Sequence, residues 1–248
     1  MSVIYVLWLR QLKRYVRSRA RIVGSVGQPL LFLVALGFGF GPIFRLAGRG
    51  SYIEFLAPGV IAMTVLFTAI FSGIELIWDR QFGFLKETLV APVPRLQIMI
   101  GRTVGGATVA LLQGVIVAVI CVIAGFRVHG WHAVPLALLD LALIAVMFTA
   151  LGTAIASVMT DFQGFQLVMN FLVMPIFFLS GALFPLADAP KTLDTIAVVD
   201  PLSYGVDGLR GATTGVAYFG AATDLVVLVC VSAALVGLGT YLFSKIET

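Results

Sequence analysis

Charge is scarce in these 248 residues: Asp, Glu, Lys and Arg make up 11% of the chain, where a soluble domain carries about 25%. With 60% apolar residues and a mean hydropathy of +1.07, polar side chains are too few to cover a water-soluble globule. A soluble fold is excluded, and the chain belongs in a bilayer. Cysteine and histidine are nearly missing, two of each. Cys121 and Cys230 fall in apolar runs, where they act as small apolar residues and report nothing about redox compartment. His129 and His132 flank Trp131 with no HExxH and no carboxylate at ligand spacing, so no metal site is expected. They read as interfacial residues beside an aromatic-belt tryptophan. No GxSxG elbow is present, so no catalytic residue is assigned. A P-loop is missing too: GFGFG (37–41) and GRTVGG (101–106) lack its lysine, and both read as close helix packing. Gly101 and Gly105 have the small-xxx-small spacing of helix contacts. The chain is therefore not expected to be an enzyme by itself, nor to carry a cofactor.

What is present is long apolar sequence. Crossing about 30 Å of hydrocarbon takes roughly 20 apolar residues, and six stretches qualify: Ile22–Phe44, Phe55–Trp78, Ile98–Phe126, Val134–Met159, Phe165–Phe184 and Ala221–Phe243. The alternating short segments of a β-barrel are absent, so the expectation is an all-α integral membrane protein of six spans. The run from Ile22 is too long for a signal-peptide core and reads as a retained first span. Lys and Arg number eleven on the side that holds both termini and the loop after the second span, against five on the other. By the positive-inside rule both termini are cytoplasmic in a multi-pass cell-membrane protein. The net charge of +4 is then topology, and no nucleic-acid partner is implied.

Residues 1–21 form a candidate amphipathic interfacial helix. Ile4, Tyr5, Trp8, Leu12, Tyr15 and Val16 share one flank, and Arg10, Lys13, Arg14, Arg17 and Arg21 share another that suits anionic lipid. The long outer loop, residues 185–220, mixes Pro, Gly and Asp with short amphipathic pieces at Leu193–Val199 and Tyr204–Gly211. Two short re-entrant helices are expected there. No internal repeat is visible, so residues 1–248 read as one transmembrane domain.

Between the second and third spans lies WDRQFGFLKETLVAPVPRLQ (78–97). From Asp79 no helix breaker except Gly83 appears until Pro92, which predicts a short cytoplasmic helix over 79–92. Phe82, Leu85 and Leu89 share one face, while Lys86 and Glu87 point partly to solvent. An apolar stripe too short to span invites another protein to cover it. Two carboxylates, Glu75 and Asp140, sit inside spans and are candidates for a substrate pathway. Neither is central, which gives an ion-coupled carrier only thin support.

FLAPGVIAM (55–63), then DRQFGFLKETLVAPVPR and GR at 101–102, resembles the permease subunits of ABC-2 type exporters. FPLADAP (184–190) with DPLSYGVDGLR (200–210) looks like that family's second signature. The chain departs from the family with Gln81, often an acid there, and Asp200, often an Asn. The resemblance implies that 79–92 is a coupling helix seated in a nucleotide-binding ATPase subunit, with Arg80, Phe82, Gly83, Leu85, Lys86, Glu87, Leu89 and Pro92 as the coupling residues. It implies two permeases, identical or paralogous, with ATP and Mg bound by the partner, and substrate exported between the permeases. A hydrophobic or amphipathic, drug- or lipid-like substrate is the first expectation, and a lipid-linked glycan or polysaccharide the alternative.

Overall fold

The computed structural model describes residues 2–47, 50–85, 93–128, 130 and 133–246. Its helices are α1 (Val3–Arg17), α2 (Arg19–Leu46), α3 (Tyr52–Phe71), α4 (Ile74–Gln81), α5 (Arg95–Ile123), α6 (Val134–Val158), α7 (Phe162–Leu179), α8 (Lys191–Val199), α9 (Pro201–Thr214) and α10 (Ala221–Ser244). No strand occurs among the described residues. Six segments are long and apolar enough to cross a membrane: α2 from Ile22 to Phe44, the pair α3–α4, α5, α6, α7 and α10. The all-α, six-span expectation holds.

The pair α3–α4 is the axis of the bundle. Its apolar stretch is 72% buried, against 17% for α2 and for α10 and 22% for α7. α3 packs against α2, α5, α6 and α9, while α10 lies along α6 and α1 along α5. The three peripheral spans turn Phe38, Phe171 and Val226 away from the protein, which a soluble domain would not tolerate over so wide a surface.

The axis is broken once. At Ser72 and Gly73 the backbone tightens, with Ser72 N donating to Thr68 and Ala69 carbonyls and Gly73 N to that of Ile70. There α6 crosses at backbone distance: a Cβ on Gly73 would stand 2.4 Å from the Gly152 carbonyl, and one on Gly152 only 2.2 Å from that of Ile70. Only glycine fits at such an approach.

Several boundaries differ from the sequence reading. The fifth span ends at Leu179 rather than reaching Phe184, because Gly181 adopts φ +71° and turns the chain. The two short helices between the fifth and sixth spans, α8 and α9, are longer than the pieces read from sequence. Asp200 caps α9 by accepting from Leu202 N at 2.9 Å, and Pro201 occupies the first turn, where its missing N–H costs nothing. α9 is held to the axis by Arg210, which donates to the Gly181 carbonyl at 3.0 Å and lies 4.1 Å over the Phe55 ring.

α1 departs from the expected flank. Leu7, Gln11 and Tyr15 are its buried residues, whereas Tyr5 and Val16 are exposed. The reason is a protein partner: α5 presents Gly101 and Gly105, and Cβ atoms there would meet Leu7 at 3.1 Å and Gln11 at 2.8 Å. Helix contact at this glycine pair is thus realised, while Gly39 and Gly41 of GFGFG have nothing within 4 Å.

Gly152→Leu should therefore destabilise the purified protein by about 3 kcal/mol or more, since overpacking against backbone has no side chain to displace. Gly39→Ala should leave it unchanged or raise stability by up to about 1 kcal/mol. Thermal unfolding in a fixed detergent distinguishes the two, and equal melting points would refute the crossing.

Candidate coupling site

Three consecutive residues at the end of α4 each bind a different part of the molecule. Successive helical residues point about 100° apart, so Trp78, Asp79 and Arg80 fan out. Trp78 stacks on Phe162 of α7, with ring centroids 6.1 Å apart and planes 14° from parallel. Arg80 donates to the carbonyls of Met159 at 2.7 Å and Ser157 at 2.9 Å. Those carbonyls end α6 and lack helical partners, so a guanidinium fork completes them and complements the helix dipole.

Asp79 is 2% exposed and carries most of the charge. Its carboxylate accepts from Arg10 of α1 at 2.5 and 2.6 Å and from Arg102 of α5 at 2.5 Å. Arg14 lies 3.7 Å from Asp79 and 3.5 Å from Glu75. Arg102 is itself buried, at 5% exposure, so this pair is desolvated and each member requires the other. Around it Trp8 Nε1 donates to Thr108 Oγ1 at 3.1 Å and the Tyr15 hydroxyl donates to Gln113 Oε1, fastening α1 along α5. At the far side of the same end, Arg95 donates to the Ile246 carbonyl at 2.9 Å, tying the start of α5 to the segment after α10.

Beyond this knot the helix does not continue as expected. α4 ends at Gln81, and Gly83 takes φ +82°, a conformation in which side-chain-bearing residues are strained. Helical structure resumes at residue 84. Asp79 and Arg80 thus close the axis helix instead of opening a separate one. The face is also different: Phe82 and Phe84 are exposed, at 72% and 50%, while Leu85 is 3% exposed and joins the core. The Gly83 turn rotates the chain, so the i, i+3 relation between Phe82 and Leu85 is lost. Lys86, Glu87, Leu89 and Pro92 lie outside the described residues, as do His129, Trp131 and His132.

The two pathway candidates are far apart in the fold. Glu75 of α4 lines a half-open cavity of about 400 Å³ that α1, α2, α3 and α5 also border. Asp140 is 1% exposed, near the start of α6, and its carboxylate lies where a Cβ on Gly208 of α9 would come within 3.0 Å. Neither of its oxygens meets a hydrogen-bond donor among the described residues. Among those residues no cluster of His, Cys, Asp and Glu suits a metal ion. Sequence reasoning missed Asp79, Arg10 and Arg102. The available signal was one acid beside a span end, with six Lys and Arg residues concentrated in the first twenty-one.

The ABC-2 type transporter family model matches residues 2–213, from α1 through α9. The chain belongs to the ABC-2 type transporter family. Its relatives within that family include nodulation protein J of Rhizobium leguminosarum bv. trifolii, 30% identical over 213 residues, covering 85% of this chain and 78% of the relative. A putative transport permease, ycf38, of Porphyra purpurea is 30% identical over 197 residues, covering 78% and 68%. The inner membrane transport permease YadH of Escherichia coli K12 is 28% identical over 213 residues, covering 85% and 82%. This ABC-2 permease is thus the membrane-embedded part of an ABC transporter and is not itself catalytic.

Removing Asp79 leaves Arg102 buried and unpaired. Asp79→Ala should cost about 3–5 kcal/mol, and the double change Asp79→Leu, Arg102→Met should recover much of that loss. Thermal melts of the single and double variants measure it; additive losses would contradict the pairing.

Proposed function

We propose that this permease couples a separate ATPase subunit to an export route through the residues that follow the Trp78–Arg80 knot. The observation that carries the reading is the exposed pair Phe82 and Phe84, set directly beyond residues that grip α1, α5, α6 and α7. An exposed aromatic pair on a short element is an anchor for a protein cleft. Force applied there enters four helices at once. The segment 79–92 remains the coupling element in this reading, with Phe82 and Phe84 as its contact, Gly83 permitting close approach of the partner backbone, and Lys86, Glu87, Leu89 and Pro92 completing it.

In this reading the ATPase binds ATP and Mg, two permeases of the same or a paralogous kind form the pathway, and both termini lie in the cytoplasm of a cell-membrane protein. α1 lies at the cytoplasmic interface, with Lys13 and Arg17 turned outward to anionic lipid. α8 and α9 form the outer re-entrant region. The cargo is a hydrophobic or amphipathic molecule, moved out of the cytoplasm or inner leaflet.

The burial pattern sharpens the test. Phe82→Asp and Phe84→Asp should abolish co-purification of the ATPase, or its stimulation by the permease, at least about tenfold, with unchanged melting of the permease. Leu85→Asp should instead lower the melting point, because it buries a charge in the core. Wild-type ATPase association by both Phe variants would remove the coupling assignment.

A further inference from the structure

Two acids where α6, α9 and α10 meet have nothing to pair with. Asp140 of α6 and Asp224 of α10 are 1% and 0% exposed. None of their carboxyl oxygens meets a hydrogen-bond donor among the described residues. The glycines of α9 bring the two acids to one place. A Cβ on Gly205 would stand 2.6 Å from Ile144 Cγ1 and 3.7 Å from Leu228 Cδ2. Asp140 and Asp224 lie one helical turn before Ile144 and Leu228, on the same faces of α6 and α10. One turn along α9, a Cβ on Gly208 would stand 3.0 Å from the Asp140 carboxyl. Asp224 is close enough to Asp140 and Asp207 to be acted on by the charge of each.

Asp207 shows the contrast. It accepts from Tyr218 N at 2.8 Å and Phe219 N at 2.7 Å and lies within reach of the Arg210 charge, so its ionised form is satisfied. No such partner reaches the other two. Arg210, the cation of α9, is directed to the Gly181 carbonyl and the Phe55 ring. The other titratable groups at this level are Tyr204 of α9, Tyr218 after it, Cys121 of α5, and Tyr52 and Glu54 at the start of α3. Arg127, on the loop before α6, is exposed. An unpaired charge inside a bilayer protein is costly, and a like charge beside it raises the cost. A bound proton relieves both.

We propose that Asp140 and Asp224 form a proton-binding site that locks α9 against α6 and α10. The step is a single protonation: a proton from water forms one O–H bond on a carboxylate oxygen, and its return to water reverses the step. The bound proton supplies a donor that neither acid otherwise meets. Its loss leaves like charges between helices that touch through the glycine backbone of α9, so the seating of α9 depends on proton supply.

The test uses the full permease in lipid nanodiscs without an ATPase, so it can fail while coupling stands, and the reverse. Asp200 is first changed to Asn in the parent, because burial pushes its carboxyl up to about 7 and it would add its own signal; Asn still caps a helix. Infrared spectroscopy then reads the protonated-carboxyl band at pH about 6, where an ordinary aspartate of pKa about 3.9 is ionised. The parent should show the band, Asp140→Asn with Asp224→Asn should abolish it, and Glu54→Gln should leave it. Asp224→Lys, which offers Asp140 a charged partner, should abolish it too, and decides the matter should the double variant not fold. The melting point of the parent should fall as pH rises from about 5 to about 8, because the folded form there binds more protons than the unfolded chain. The double variant should lose that fall. No band in the parent, a band kept in full by the double variant or by Asp224→Lys, or a parent melting point that does not fall with pH would each overturn the proposal.

Discussion

The carboxylate of Asp79 is the constraint on which the cytoplasm-proximal architecture depends in our reading. A buried acid in a bilayer protein is costly unless it is paired, and this one is surrounded by Arg10, Arg14 and Arg102 from two other helices. Arg102 is in turn held away from solvent and lipid by the same contact, so neither it nor Asp79 can be withdrawn alone. α1 has modest apolar content of its own, and it lies along α5 because the pairing, the glycine stripe at Gly101 and Gly105, and the Trp8 and Tyr15 hydrogen bonds all agree on one register. Agreement between independent devices is what gives one arrangement rather than several.

The opposite end is organised by different means. There the chain uses caps and carbonyl contacts: Asp207 accepts from Tyr218 N at 2.8 Å and Phe219 N at 2.7 Å, Tyr204 donates to the Val198 carbonyl at 2.8 Å, and Tyr52 donates to that of Leu183 at 3.0 Å. These bonds close irregular backbone on itself, which membrane depth tolerates only when protein covers it. One end of the bundle is thus bound by paired side-chain charges and the other by hydrogen bonds from side chains to backbone, joined by an axis that is mostly buried aliphatic sequence.

Much of this was legible in the sequence because the bilayer imposes length and apolarity on every span. The six spans, the two short helices before the last of them and the packing role of Gly101 and Gly105 follow from composition, period and small-residue spacing. The failures are tertiary. Gly83 reads as a tolerated helix residue until its φ of +82° is seen, and that one dihedral angle moves Leu85 from the expected docking stripe into the core. Gln11 belongs to neither flank of the helix read from sequence, yet it is buried because α5 has no side chain at Gly105 to exclude it. Asp79 reads as the first residue of the cytoplasmic helix, since nothing in its neighbours' identity reveals that arginines sixty-nine residues before it and twenty-three after it converge there.

The backbone contact between Gly73 and Gly152 has a mechanical meaning of its own. Side chains at a helix crossing act as compliant bumpers, yielding by rotamer changes; two chains touching through carbonyl and Cα have no such compliance. The contact therefore behaves as a fulcrum. On one side of it the eight residues of α4 form a lever arm of about 12 Å. On the other side stands the whole of α3. In the coupling reading, a push at the tip of the short arm is not absorbed at the crossing and passes to α3 and α6 together.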